Sequence, residues 1–457
     1  MRPLSALAAV MLFAAPVAAA DRPNFVFILV DDLRYNGLGC TGHPFVKTPN
    51  IDRLAREGVN FKNAFVSIPL CSPSRSSFLT GRYAHSTGIT TNGDNSALSH
   101  RLISFPMRLH DAGYATAYVG KWHMGTDDAP RQGFDRWVSF RGQGVYENPP
   151  LNVDGKREPV TGYMTDLLNK YAVEFVRAQK PDKPFCLYLA HKAVHGPFTP
   201  AERHKGLYAD DKYPAPPKDD RSGKPAITEN AAKVAPKKKE TPKKKDGPAA
   251  KGDFGVMRNQ MRCLMSIDEG VGELVRALEE AKQLDNTVFV FTSDNGYFWG
   301  EHGGLGDKRW AYEESIRIPL IVRYPRLVKP GTALPQMVMN IDIAPTFLEL
   351  GGVPIPADVQ GKSLVPLLKG ETSGWRTAML TEYFLEQNFP RTPTWQSVRT
   401  ERWKYIHYPD HPEWDELYNL QTDPHELKNR IKDESVGGEL KELRLELGKL
   451  LEATGAK

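Results

Sequence analysis

The sequence predicts an α/β protein, a buried sheet sandwiched between helices and followed by a smaller α+β unit. Continuous apolar runs at residues 25–30 (FVFILV), 114–119 (YATAYV), 185–190 (FCLYLA) and 286–292 (NTVFVFT) have the length and the β-branched and aromatic content of strands covered on both faces. Elsewhere apolar residues recur in steps of three and four, as at Leu264, Ile267, Val271, Leu274 and Leu278, the stripe of a helix that packs on a sheet. Beyond residue 365 the pattern shifts to short alternating strands and a charged helix.

A chain of 457 residues, 40% hydrophobic and 25% charged, has ordinary globular composition and the length for more than one folding unit. Residues 1–20 carry Arg2, an apolar run over 4–17 and then Ala18, Ala19 and Ala20, the layout of a secretory signal peptide cleaved before Asp21. That run is too short to span a bilayer, and no later stretch is long enough. With no cysteine after the cleavage site to take a lipid anchor, the expected location is secreted or periplasmic. Cys40, Cys71, Cys186 and Cys263 are too few for a disulfide scaffold. No Asn-X-Ser/Thr acceptor occurs, which leans towards a bacterial source over a lysosomal one. The net charge of +5 is local: eight lysines against Glu240 and Asp246 give residues 233–251 a charge of +6, leaving about −1 for the rest. The basicity is therefore one loop and not a nucleic-acid face. Residues 209–253, rich in Lys and Pro, read as a disordered insertion or long surface loop within a main domain of 21–365, with 366–457 as the C-terminal subdomain.

In chain order, the run at 25–30 ends at Asp31 and Asp32. Adjacent carboxylates at the carboxyl end of a buried strand repel unless a cation lies between them, and that end is where open α/β sheets bind ligands. As a lone pair, the start of a solvated loop is the plainer reading. Residues 48–58 (TPNIDRLAREG) form a helix stopped by glycine, and 105–111 another. The strand at 114–119 runs into Gly120, Lys121, Trp122, His123, Met124 and Gly125. Taken alone, Lys121 and His123 read as a surface charge and a hydrogen-bonded histidine. Residues 165–177 are helical, and the strand at 185–190 delivers His191 and His195. Their HxxxH spacing raises zinc, but Gly196, Pro197 and Pro200 speak against a helix and no third soft ligand is near. The strand at 286–292 ends at Ser293, Asp294, Asn295 and Gly296, an acid and an amide that complete a site with Asp31 and Asp32. These donors are all oxygen, which selects a hard cation, calcium first and magnesium second, over zinc or copper. Lys308 lies in GDKRWAYEES, residues 318–322 form a strand, and 340–351 (NIDIAPTFLELG) a loop and helix that close the main domain. In the C-terminal unit, 397–400 and 403–408 (WKYIHY) pair as strands before 416–424 (ELYNLQTDP) and a helix over 440–453.

The stretch at 70–82, LCSPSRSSFLTGR, is the most specific. Its CxPxR spacing at Cys71, Pro73 and Arg75, followed by LTGR, resembles the signature of the type I sulfatases, and GKWHMG, WKYI and LYNLQTDP resemble further motifs of that family. The resemblance runs from about residue 24 to 429 and implies an alkaline-phosphatase-like mixed sheet sandwiched by helices. It implies that Cys71 is oxidised to formylglycine by a formylglycine-generating enzyme, and that the hydrated aldehyde attacks the sulfur of a sulfate ester. By the same resemblance Asp31, Asp32, residue 71, Asp294 and Asn295 hold the cation, and Asp294 accepts the attacking hydroxyl's proton. Arg75 and Lys121 hold residue 71 and the sulfate, His195 and Lys308 assist the leaving oxygen, and His123 takes the proton that releases sulfate. The plain alternative for Cys71 is a buried small hydrophobe.

The run TSDNGYFWGEHGGLGDKRWAYEESIRIPLIVRYP, with NIDIAPTFLEL after it, resembles N-acetylglucosamine-6-sulfatases and related bacterial sulfoglycan sulfatases. It departs from the human-type enzyme at GKWHMG. The expected partner is a sulfated carbohydrate, a 6-O-sulfate such as N-acetylglucosamine-6-sulfate, with His302 and Trp310 as candidate substrate contacts. The same fold carries phosphodiester and phosphonate hydrolases, some of them formylglycine-dependent. A non-catalytic sulfoglycan-binding protein is the reading if Cys71 stays a thiol.

Overall fold

The structure, a computed structural model, describes residues 22–219, 221–233 and 254–456. The predicted signal peptide and most of the lysine-rich segment at 233–251 lie outside the described residues.

The frame is an eleven-stranded mixed sheet. Its first strands are β1 (Asn24–Val30), β2 (Val59–Phe65), β3 (Ala115–Gly120), β4 (Arg136–Ser139), β5 (Pro150–Val153), β6 (Lys156–Pro159), β7 (Phe185–Ala190) and β8 (Thr287–Ser293). A separate ribbon pairs β9 (Phe298–Trp299) with β10 (Gly306–Asp307), after which β11 (Arg317–Ile318), β12 (Leu320–Arg323) and β13 (Thr332–Met339) rejoin the large sheet. Across it the order is β11-β2-β12-β8-β1-β7-β3-β4-β5-β6, with β13 beside β2. The central strands β8, β1, β7, β3 and β4 are parallel, so their carboxyl ends share one edge, where open α/β sheets collect ligands.

The apolar runs form strands because both faces are covered. Along β1, Val26, Ile28 and Val30 face a core shared with the helices Pro49–Glu57, Met164–Arg177 and Gly255–Glu280. Phe25, Phe27 and Leu29 face a second core with the helices Cys71–Thr80, Phe105–Asp111 and Ile343–Leu350. There Phe25 stacks on Phe347 at 4.6 Å and Phe27 lies 4.6 Å from Tyr188. Truncating a fully buried Phe at such a junction costs roughly 3–5 kcal/mol. The strand expected at 318–322 is broken into β11 and β12 at Pro319, which has no N–H for the ladder.

The C-terminal unit is an antiparallel sheet of β14 (Ala378–Tyr383), β15 (Trp395–Thr400), β16 (Trp403–His407) and β17 (Glu416–Asn419), against which the helix Gly437–Thr454 buries Leu443 and Leu447. A buried ionic chain binds it to the first unit: Glu313 meets Arg399 at 2.9 Å and Lys404 at 2.9 Å, and Lys404 meets Glu426 at 2.7 Å.

One expectation is corrected. The start of the 209–253 insertion is built into the fold: Lys224 is wholly buried, and a helix at Pro225–Lys233 places Ala226 and Ile227 in the apolar core. Few apolar residues were needed because the anchor is ionic, with Asp219 2.5 Å from Lys224 Nζ and 3.5 Å from His302 Nδ1.

Candidate active site

The two central strand ends meet directly. Asp294 N–H donates to Val30 O at 2.9 Å, Leu33 N–H to Ser293 Oγ at 2.9 Å and Asp32 N–H to Asp294 Oδ1 at 3.2 Å. Asp32 holds a left-handed φ of 67°, which turns the chain back so that Asp31 and Asp32 both face Asp294. Ligand oxygens of these three buried carboxylates lie within 4.8 Å of one another.

The helix Cys71–Thr80 brings residue 71 to this edge with its positive end foremost. Every residue of the helix is buried. Ser72 N–H is satisfied by Asn92 Oδ1 at 3.0 Å, and Asn340 ties the helix down through Ser74 Oγ at 3.1 Å. At the far end Gly81 has φ 70°, and a Cβ there would lie 2.9 Å from Val359. The LTGR glycine is thus required both by backbone sign and by space.

Three cations surround Cys71. Lys308 Nζ is 2.9 Å from its sulfur and also bonds Asp32 Oδ1. Lys121 Nζ bonds Asp31 Oδ2. Arg75 reaches Asp294 through Nε at 3.0 Å, Asp31 at 3.3 Å and the Lys121 carbonyl at 2.6 Å. Lys121 follows Gly120, where β3 passes so close to β7 that a Cβ would lie 1.8 Å from Ala190 O, and its own N–H donates to that oxygen at 2.8 Å. His123 follows with φ 56°, its carbonyl accepting from Ser72 Oγ. His195 Nε2 stands 3.8 Å from Asp32 Oδ2, and its Nδ1 is held at 3.0 Å by Gly196 O.

Burial would raise the Asp31 carboxyl, but Lys121, His195, Arg75 and Lys308 outweigh it and hold it well below the usual range. Asp294 is pushed up to about 6 by burial and then by the Asp31 charge. Burial pushes the Cys71 thiol up to about 12, so at neutral pH it is a poor nucleophile as cysteine. Burial and then Lys121 lower both histidines, His195 to about 4 and His123 well below 6.5. Lys308 is held protonated, Asp32 and Cys71 outweighing its burial.

These residues fit a hard cation. Asn295 Nδ2 donates to Asp32 Oδ1 at 2.7 Å, while its Oδ1 is buried with no hydrogen-bond partner beside the three carboxylates. An unpaired buried acceptor is costly, and a cation held by oxygen ligands satisfies it. Of the HxxxH pair, only His195 stands with the acidic groups among the described residues. His191 is buried, lowered to about 3 by burial, and anchored through its backbone to Leu29 O at 2.8 Å.

The Sulfatase family profile matches residues 23–353, and the profile described as N-sulphoglucosamine sulphohydrolase, C-terminal, matches 300–453. The chain belongs to the sulfatase family. It is a sulfuric ester hydrolase. An N-acetylglucosamine-6-O-sulfatase of Bacteroides thetaiotaomicron is 34% identical, with 93% of this chain and 86% of that protein covered. Human N-acetylglucosamine-6-sulfatase is 30% identical over 91% of this chain and 82% of its own length. A structure solved with its substrate D-glucosamine-2-N,6-O-disulfate superposes with a TM-score of 0.85 at 33% identity, covering 95% of this chain and 98% of that one. The phosphonate monoester hydrolase of Agrobacterium radiobacter shares the fold at a TM-score of 0.75 and 23% identity, over 93% of this chain and 96% of its own.

One sequence-predicted contact is corrected. His302 has no free edge: Nδ1 meets Lys224 and Nε2 meets Glu314 at 3.1 Å, while the ring stacks on Tyr312 at 4.0 Å. Trp310 packs its ring against the apolar core, which leaves its expected role untested. Sequence reasoning also missed Glu386, which accepts from Asn92 N at 3.0 Å and Arg309 Nε at 2.7 Å. It braces the neighbours of residue 71 and of Lys308 from the C-terminal unit, and no local motif marks it.

Proposed function

We propose that this sulfatase removes the 6-O-sulfate from a glucosamine-type sugar, by way of a formylglycine at position 71 and with calcium bound between the strand ends. The observation that carries the reading is Cys71, held 2.9 Å from Lys308 Nζ beside three converging carboxylates. The choice of sugar is supported by the 6-sulfatases at 30–34% identity.

Oxidised to the aldehyde, residue 71 supplies a hydrate oxygen as the nucleophile. Asp31, Asp32, Asp294 and Asn295 would hold the cation, which would supply Lewis-acid polarisation of a sulfate oxygen. Asp294, beside residue 71, would accept a proton on the attacking side. Arg75 and Lys121 fix the carboxylates and offer N–H donors to sulfate oxygens. Lys308 and His195 face the leaving oxygen, Lys308 with a fixed positive charge and His195 with an Nε2 free to exchange a proton. His123 is neutral, the form able to take up the proton that goes with sulfate release.

We propose further that the chain is secreted or periplasmic through residues 1–20, that a formylglycine-generating enzyme matures it, and that residues 21–365 and 366–457 are its two domains. The last strand of the large sheet ends at Met339 and the first of the small sheet begins at Ala378, which supports that division.

The test is a panel of sulfated monosaccharides and glycosaminoglycan fragments, given to protein whose residue 71 aldehyde has been verified by mass spectrometry. Cleavage of a 6-O-sulfate, N-acetylglucosamine-6-sulfate first, is expected, with about 10⁴-fold discrimination against misplaced sulfates. Faster turnover of phosphonates or phosphodiesters than of every sulfate ester would overturn the reading.

A further inference from the structure

We propose that the protein has a second sugar subsite, for an anionic sugar linked to the one that carries the reacting sulfate, in the cavity beyond the carboxyl end of β4. The inference rests on the amino-sugar reading above and deepens it.

The cavity lies on the catalytic edge. β4 is parallel to β3, and Ser139 Oγ at its end donates to Gly120 O at 2.8 Å, directly before Lys121. From β1 to β4 is three strand spacings, roughly 14 Å, so the cavity sits beside the cleft and not within it. The loop after β4 also touches the leaving-group side, because Tyr146 OH donates to His195 O at 2.6 Å.

Its chemistry suits a charged sugar. The volume is about 480 Å³, within the roughly 300–1,000 Å³ of ligand pockets. Phe140, Val145, Pro149 and Pro150 supply apolar wall, with Val145 49% exposed, a surface for the C–H face of a pyranose. Gln143 Oε1 is buried without a hydrogen-bond partner and would accept from a sugar hydroxyl. Asp128 is already held by both Arg157 Nε, at 3.3 Å, and Arg157 Nη2. That leaves Arg141, its side chain 66% exposed, with only a 3.8 Å approach to Asp128, beyond hydrogen-bond length. Among the described residues nothing else neutralises it, so its planar fork faces outward for a carboxylate or sulfate.

The experiment measures binding by calorimetry to Cys71→Ala protein, with and without Arg141→Ala. The ligands are N-acetylglucosamine-6-sulfate alone, the same sugar linked to a uronic acid, and the same sugar linked to galactose. The uronate disaccharide should bind tightest, and Arg141→Ala should weaken it about tenfold more than it weakens either other ligand, with partial recovery in Arg141→Lys. In matured enzyme the same contrast should appear in kcat/KM. Equal losses on all three ligands, or a uronate disaccharide that binds no tighter than the monosaccharide, would overturn the subsite. Arg141-dependent binding in a matured enzyme that cleaves no 6-O-sulfate would instead sink the proposed reaction and leave the subsite standing.

Discussion

His302 offers the sharpest quantitative prediction. Burial and the Lys224 ammonium, 2.7 Å from Nδ1, disfavour its charged form, but Glu314, at 3.1 Å, and Asp219, at 3.5 Å, outweigh them and raise it from 6.5 to about 9. A folded-state pKa above the unfolded one means that protonation favours folding. The contribution is full below about pH 6.5 and is lost as pH rises through about 9. A rise of about 2.5 pH units corresponds to roughly 3 kcal/mol at 1.36 kcal/mol per unit. Urea unfolding of the wild type and of His302→Gln at pH 6, 7.5 and 10 reads it directly. The gap between the two proteins should be widest at pH 6 and shrink by about 3 kcal/mol by pH 10, with other titrating groups cancelling in the difference. Parallel stability curves across that range would refute the assignment of charge to the buried ring.

Asp294→Ala should abolish turnover and metal binding, with calcium the ion found in the wild type by metal analysis. It should leave the melting temperature largely unchanged, because Arg75 keeps Asp31 at 3.3 Å and the loss of one of two repelling buried carboxylates offsets the lost pairing; a large drop would contradict that balance. Lys308→Met should lower kcat/KM on a sugar sulfate by roughly 10²–10⁴ but far less on 4-nitrophenyl sulfate, whose leaving group needs little help; equal losses would place Lys308 on the sulfate instead. Deleting residues 234–251 should leave the melting temperature and small-ester activity nearly unchanged. Extending the deletion back to Asp219 should destabilise the fold by removing the carboxylate that pairs with His302 and the helix that buries Ala226 and Ile227.

What the sequence made legible was whatever the chain writes locally. Buried strands announce themselves by apolar runs, and the abrupt Asp31–Asp32 and Ser293–Asp294–Asn295 endings mark the edge where the site forms. Contacts between polar residues far apart in sequence leave no such trace. Asp219 and Lys224 sit in a segment whose composition suggests a solvated loop, yet they meet His302 some eighty residues later. The same blindness turned His302 into a substrate contact, since a histidine after a strand end looks alike whether it faces a sugar or a buried ion pair. Glu386 was out of reach for the same reason.

The complete burial of the helix Cys71–Thr80 sets an order of events in the cell. Residue 71 has no accessible surface, its sulfur is covered by Lys308 and Asp31, and helix, sheet and C-terminal unit close around it. No second protein can take hold of that peptide once the chain has folded. The maturation proposed for Cys71 would therefore have to happen on a nascent or unfolded chain, and a copy that folded first would remain a thiol until it unfolded again.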